Sequence, residues 1–139
     1  MRLTFEFPAD TAVLENIGKI MVDASRNAGF NDTEIGDIQL AVDEACTNTI
    51  IHGLKEDRSK TFQLVIQWKT GEIEIFIHET GVPFDPKEVP DPDLKAPLED
   101  RAIGGLGIFF IKELMDKVEY KIGEGGVKTL YMMKRRTSI

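Results

Sequence analysis

Hydrophobic and polar residues alternate along several stretches of the chain, and each of these stretches predicts a β-strand. The first is RLTFEF at residues 2–7. The clearest is TFQLVIQWKTGEIEIFIHE at residues 61–79, where a turn at Thr70–Gly71 separates two alternating halves. VEYKIGEGGVKTLYMMKR at residues 118–135 has the same pattern around a glycine-rich turn. The pattern therefore predicts one N-terminal strand and two hairpins.

Other stretches repeat their apolar residues every three to four positions, which predicts amphipathic helices. One such stripe runs from Val13 to Ala24. Asn31 and Glu34 have the spacing of a capping box, and they predict the start of a second helix that ends at Gly53. A third helix, IFFIKELMDK, follows the glycines of GGLG.

The resulting order, β-α-α-β-β-loop-α-β-β, predicts the α+β class. We expect a two-layer α/β sandwich with helices on one face of a mixed, mainly antiparallel sheet. The 139 residues suit a single domain, 1–139. A segment rich in proline and charge precedes the third helix, at about residues 87–102. A connection of that length is typical of a lid or a binding loop.

Composition narrows the classes of function. The 42% hydrophobic and 29% charged residues are those of a globular protein. A net charge of -7 disfavours nucleic-acid or anionic-membrane surfaces, because binding phosphates requires a basic patch. The single Cys46 cannot form an internal disulfide, and no apolar run reaches the length of a membrane span. The start of the chain does not look like a signal sequence, so we expect a cytoplasmic protein.

Candidate chemistry lies in DEACTNTIIHG, residues 43–53, where Glu44 and Asn48 are four positions apart and share one helix face. A glutamate can act as a general base, and an asparagine carbonyl oxygen is a suitable ligand for Mg²⁺. His52 extends the row by one turn. Taken alone, Glu44 and Asn48 could equally lie on a solvated helix face. His52 could equally be a helix-end histidine that donates a hydrogen bond to the last carbonyl groups of the helix.

Two further motifs contain glycine. The first is HETGVPFDP, residues 78–86, where Gly81 and Pro83 fit a sharp turn at the end of a strand. Alternatively, Gly81 allows a flat ligand to approach the backbone while Glu79 accepts a hydrogen bond from a ring amine. IGGLG, residues 103–107, places glycine N–H groups before a helix. This arrangement suits phosphate binding without lysine, although such glycines also occur in ordinary loops.

These motifs, in this order, resemble the N, G1 and G2 boxes of the GHKL (Bergerat-fold) ATPases. DEACTNTIIHG, TGVPFDP and GGLGIFFIKELMDKVEY look like the anti-sigma-factor serine kinases, the small single-domain branch. The resemblance implies ATP and Mg²⁺ as cofactors, Glu44 as the general base, Asn48 as the Mg²⁺ ligand and residues 87–102 as the ATP lid. The nucleotide-binding residues that it implies are Asn48, His52, Glu79, Gly81, Pro83, Gly104, Gly105, Leu106, Gly107 and Thr129.

The chain departs from the family pattern at two positions near the expected base site. Glu79 stands where the family usually has aspartate, and its extra methylene group means that the expected hydrogen bond to adenine shifts, passes through water or weakens. Val127 stands where a threonine commonly follows the glycine, and Thr129 is the candidate to replace it.

The resemblance implies a serine/threonine protein kinase that acts as an anti-sigma factor. Its expected partners are a sigma factor and an STAS-type anti-anti-sigma protein, which it would phosphorylate, and relatives are commonly homodimers. The alternative is a nucleotide-gated binding module with little or no catalysis. Glu79 and Val127, the two departures from the family pattern, are consistent with this alternative. The ATP-binding half of a histidine kinase fits less well, because the chain lacks a separate helical phosphoacceptor domain.

Overall fold

The computed structural model describes residues 1–79 and 105–137, without the side chains of residues 105–108 and 124. The predicted lid at residues 87–102 lies outside the described residues, as do Gly81, Pro83 and Gly104.

Five strands and three α-helices make up the described part of the chain. They are β1 (Arg2–Pro8), α1 (Leu14–Asn27), α2 (Asp32–Asn48), β2 (Thr61–Lys69), β3 (Glu72–Glu79), α3 (Gly105–Leu114), β4 (Lys117–Ile122) and β5 (Lys128–Arg135). Each corresponds to an element that the hydrophobic pattern predicts. The predicted second helix is not α-helical throughout, because α2 ends at Asn48 and a π-helical turn, Thr49–Gly53, completes it.

The strands form one sheet in the order β1-β2-β3-β5-β4, and the two predicted hairpins are β2–β3 and β4–β5. All four pairings between described strands are antiparallel, so the parallel part of the expected mixed sheet is not among them. In the central pairing Ile77 lies opposite Leu130, and Ile75 opposite Met132. The predicted two-layer α/β sandwich is confirmed.

The core lies between the helices and one face of the sheet, called here the inner face. On β3, Ile73, Ile75 and Ile77 point to this face and are buried, while the residues between them are half-buried on the outer face. This alternation is the period-two pattern of the sequence seen in three dimensions. Burying each such side chain stabilises the fold by about 1.5–3 kcal/mol.

The capping box at the start of α2 is present. The Glu34 amide donates to Asn31 Oδ1 at 2.8 Å, and the Asn31 amide donates to Glu34 Oε1 at 3.0 Å. The other carboxylate oxygen of Glu34 accepts from the amide of Thr137 at 2.9 Å and from its hydroxyl at 3.3 Å. One buried carboxylate therefore caps α2 and attaches the segment after β5 to it.

We expect Glu34→Ala to lower the free energy of unfolding by about 2 kcal/mol, because it removes a charged acceptor of several hydrogen bonds. Burial raises the pKa of Glu34, but the hydrogen bonds from Asn31 and Thr137 outweigh it, so the pKa lies below its ordinary value. The stabilisation is therefore complete above the pKa of an unfolded glutamate, and it is lost as the pH falls through the folded pKa. Urea titrations at several acidic pH values measure both effects.

Asp32→Asn is the matched control, since Asp32 is an exposed carboxylate in the same first turn. It should cost the helix-dipole contribution, about 0.3–1 kcal/mol, and little for the exposed contact with Arg26 at 3.8 Å. Equal losses in the Asp32 and Glu34 variants would contradict a special role for Glu34.

Candidate active site

Glu44 lies on α2 with its side chain half-buried. Burial raises the pKa of its carboxyl, and the negative charge of neighbouring Asp43 raises it further. A carboxylate with a raised pKa binds a proton more readily than an ordinary surface glutamate does. This property suits a general base.

Asn48 follows one helical turn later, at the end of α2, and is 8% exposed. Its Nδ2 has no hydrogen-bond partner within the described residues. An unsatisfied buried amide costs about 1–3 kcal/mol, so a structure retains one mainly where something else binds it. The Asn48 Nδ2 is therefore a donor that a bound ligand could satisfy.

The π-helical turn that follows carries the chain close to the end of β3. The Leu54 amide donates to the Thr49 carbonyl at 2.8 Å and closes this wider turn. A Cβ atom placed on Gly53 would lie only 3.1 Å from both carboxylate oxygens of Glu79. Gly53 thus allows the Glu79 carboxylate to lie directly against the backbone of the turn.

We expect Gly53→Ala to displace the Glu79 carboxylate and to weaken ATP binding about tenfold, as measured by calorimetry, because the added methyl group lies too close to that carboxylate for it to stay in place. Gly36→Ala is the matched control. A Cβ atom at this helical position meets nothing within 4 Å, so the variant should keep ATP affinity and gain about 0.5–1 kcal/mol of stability. Equal ATP affinities in the two variants would show that the contact between Gly53 and Glu79 is unimportant for binding.

A small cavity of about 10 Å³ joins these elements on the inner face. It contains two of the predicted site residues, Asn48 and Glu79, while Glu44 lies one turn before Asn48. His52 is half-buried in the π-helical turn and does not line the cavity. The lining residues are Ala45, Asn48, Thr49, Gly53, Ile77, Glu79, Tyr120, Lys128 and Leu130.

Thr129 does not reach this cavity. It lies opposite His78 in the sheet, and the two side chains are hydrogen-bonded at 2.7 Å between Thr129 Oγ1 and His78 Nδ1 on the outer face. The residue of β5 that faces the cavity is Lys128, which the motif comparison missed. Strand alternation could have found it, since Leu130 is apolar and Lys128 lies two residues before it on the same face.

The glycine motif opens α3, which begins at Gly105 and contains Leu106 and Gly107 in its first turn. The first amides of a helix have no partner within the helix, and the N-terminus carries partial positive charge. The predicted position of these glycines at a helix start is confirmed, and their backbone there suits an anion.

The described residues contain no cluster of three or more His, Cys, Asp or Glu side chains able to hold a metal. Mg²⁺ bound to a nucleotide does not require one, because it commonly uses one or two protein oxygens, phosphate oxygens and water. A carboxamide oxygen at Asn48 fits this donor set.

Within residues 1–79 and 105–137, no helix has the length and apolar character needed to cross a membrane.

A helix-borne acid and amide, a buried carboxylate at a strand end and a glycine-initiated helix are the features expected of the GHKL class of ATPase domains. Residues 7–134 match the family described as "Histidine kinase-like ATPase domain", and the chain belongs to this family. Its curated relatives include the serine-protein kinases RsbW of Bacillus thuringiensis (strain Al Hakam) and Bacillus cereus (strain 03BB102). Each is 30% identical over 128 residues, which cover 89% of this chain and 79% of the relative.

Experimental structures share the fold at low sequence identity. The RsbU and RsbW domains of Rv1364c from Mycobacterium tuberculosis match with a TM-score of 0.66 and 14% identity. This match covers 97% of the present chain but 32% of the other. The SiaB–SiaC complex of Pseudomonas aeruginosa matches with a TM-score of 0.59 and 16% identity over 95% of this chain and 88% of the other. These structures confirm the fold, while the family match and the curated relatives confirm the predicted membership of the GHKL serine-kinase group.

Proposed function

We propose that this protein is an Mg²⁺- and ATP-dependent serine/threonine protein kinase that also acts as an anti-sigma factor. Its substrate is an STAS-type anti-anti-sigma protein, and its second partner is a sigma factor. The observation that carries the proposal is Glu44, a half-buried carboxylate with a raised pKa, one turn before Asn48 at the cavity that contains Glu79. A domain that only bound nucleotide would not need this base.

The transfer step assigns one task to each residue. Glu44 accepts the proton of the attacking serine or threonine hydroxyl, whose oxygen forms a bond to the γ-phosphorus as the bond to ADP breaks. Asn48 would hold Mg²⁺, and the metal would supply the positive charge that neutralises the phosphates. Glu79 accepts a hydrogen bond from the adenine amine, and the first amides of α3 bind phosphate oxygens.

A protein acceptor needs access to Glu44. A groove of about 480 Å³ lies between α1 and α2, and Asp43, the residue before Glu44, is part of its lining. Leu14 and Leu40 provide apolar contacts in the groove, while Gly18 and Gly36 leave it open. Glu44 itself does not line this groove, so the groove serves the proposal only as a docking surface beside the base.

The names of relatives support the finer parts of the proposal. The curated relatives are named serine-protein kinases, and one structural neighbour is a complex of two proteins, SiaB and SiaC. We extend the proposal to a single domain over 1–139, an ATP lid at 87–102, a homodimer and a cytoplasmic location.

The direct test is phosphotransfer from radiolabelled ATP to purified STAS-type proteins of the source organism, with and without Mg²⁺. We expect Mg²⁺-dependent labelling of a serine or threonine in one of them. Binding of ATP together with no labelling of any would overturn the kinase activity.

A second candidate is a nucleotide-gated binding module. The observation that favours it is the 10 Å³ cavity at Glu79 and Lys128, which is too small for a purine as it stands. Nucleotide-dependent capture of a sigma factor by a protein that labels no STAS-type substrate would support the module over the kinase.

A further inference from the structure

Lys128 is a buried lysine at the candidate base site. It is 6% exposed, and Glu79, directly opposite it in the pairing of β3 with β5, is 7% exposed. Opposite residues on antiparallel strands have Cβ atoms about 4.5–5.5 Å apart. Both residues also line the small cavity, so an ammonium-bearing and a carboxylate-bearing side chain reach it from adjacent strands.

Stability alone does not explain this arrangement. Lysine and glutamate are among the residues least often fully buried, and removing two charges from water costs about as much as their attraction returns. The next inward residues on these strands, Ile77 and Leu130, are apolar and buried. A further apolar pair would have continued the core, so the charged pair is better explained by a ligand.

The cavity also shows which group must move when a ligand enters. Its volume of about 10 Å³ holds roughly one water molecule. Lys128 has the most flexible side chain among the lining residues, with four rotatable bonds on an unbranched stem. A base that enters displaces this side chain, and the buried ammonium then needs a hydrogen-bond acceptor on the base.

We propose that Lys128 is a base-recognition residue whose ammonium donates a hydrogen bond to ring nitrogen N1 of adenine, beside the N6 amine that donates a hydrogen bond to Glu79. The edge of adenine presents a donor, N6–H, next to an acceptor, N1. The carboxylate and ammonium present the complementary acceptor and donor. Guanine has O6 and N1–H at these positions, so in the same orientation it faces the pair with both hydrogen-bond roles reversed. The inference rests on the proposed binding of ATP.

The test compares ATP, 1-deaza-ATP and GTP by calorimetry with wild type and Lys128→Met. In 1-deaza-ATP a C–H group replaces N1, so it cannot accept the hydrogen bond. We expect the wild type to bind ATP about tenfold more tightly than 1-deaza-ATP, and GTP still more weakly. Lys128→Met should lose about tenfold in ATP affinity and keep its affinity for 1-deaza-ATP, so that the preference disappears.

Lys121→Met is the matched control, because Lys121 is exposed on β4 and its charge faces Glu119 rather than the cavity. It should keep the wild-type preference. Near-UV circular dichroism checks that Lys128→Met is folded, and the wild-type comparison of ATP with 1-deaza-ATP needs no variant.

Two results would overturn the assignment of Lys128. One is an unchanged preference for ATP over 1-deaza-ATP in Lys128→Met. The other is tighter ATP binding by that variant, which would identify the lysine as an obstruction. Wild type that binds none of the three nucleotides at millimolar concentration would overturn the proposed ATP binding itself, and the role of Lys128 with it.

Discussion

Glu44→Gln should reduce phosphotransfer by about 10²- to 10⁴-fold while ATP affinity changes little. The amide has nearly the shape of the carboxylate, but it cannot accept the proton of the attacking hydroxyl. Single-turnover phosphotransfer and calorimetric ATP titration, performed on the same preparation, separate the chemical step from binding. If Glu44→Gln lost both phosphotransfer and ATP affinity, Glu44 would be needed for the structure of the site rather than for the chemical step.

The pH dependence gives an independent test of the same residue. Because burial and Asp43 raise the pKa of Glu44, the rate should fall on acidification at a higher pH than an ordinary glutamate would give. Asp43→Asn removes the neighbouring negative charge and should move this limb to lower pH. Glu113→Gln, at an exposed position on α3, should leave both rate and profile unchanged. An acidic limb that Asp43→Asn does not move would contradict the assignment.

Asn48→Leu should weaken Mg²⁺-dependent ATP binding about 100-fold and, at the same time, stabilise the nucleotide-free protein by about 1 kcal/mol. The loss follows from removing the amide that would hold the metal. The gain follows from removing a buried Nδ2 that has no partner among the described residues. Calorimetry with and without Mg²⁺, together with urea unfolding, measures the two changes separately.

The opposite signs of the two effects make this test specific. If Asn48 served only the fold, its replacement would lower both the stability of the protein and its ATP affinity. Asn48→Asp keeps an oxygen ligand and should keep the Mg²⁺ dependence, while Asn16→Leu, on the exposed face of α1, should change neither quantity. Mg²⁺-dependent binding in Asn48→Leu equal to wild type would exclude Asn48 as the metal ligand.

Local patterns were enough to predict much of the fold. The alternation in residues 61–79 specified β2 and β3, and the Asn31–Glu34 spacing specified the start of α2, because a strand or a helix cap depends on residues close together in the chain. The i, i+4 spacing likewise placed Glu44 and Asn48 one turn apart. The attachment of Thr137 to Glu34 was not predictable, since it joins residues 103 positions apart.

The base site shows where sequence alone reached its limit. The sequence by itself placed Glu44 and Asn48 one turn apart on a helix and the glycine motif at a helix start, because these positions follow from spacing within one helix or at one helix start. Only the tertiary structure decided that Lys128 rather than Thr129 faces the cavity and that Gly53 lies against Glu79. The physical reason is that a strand exchanges its faces at every residue. The pairing of β5 with β3, rather than the spacing of a motif, therefore determines which side chain lines the cavity.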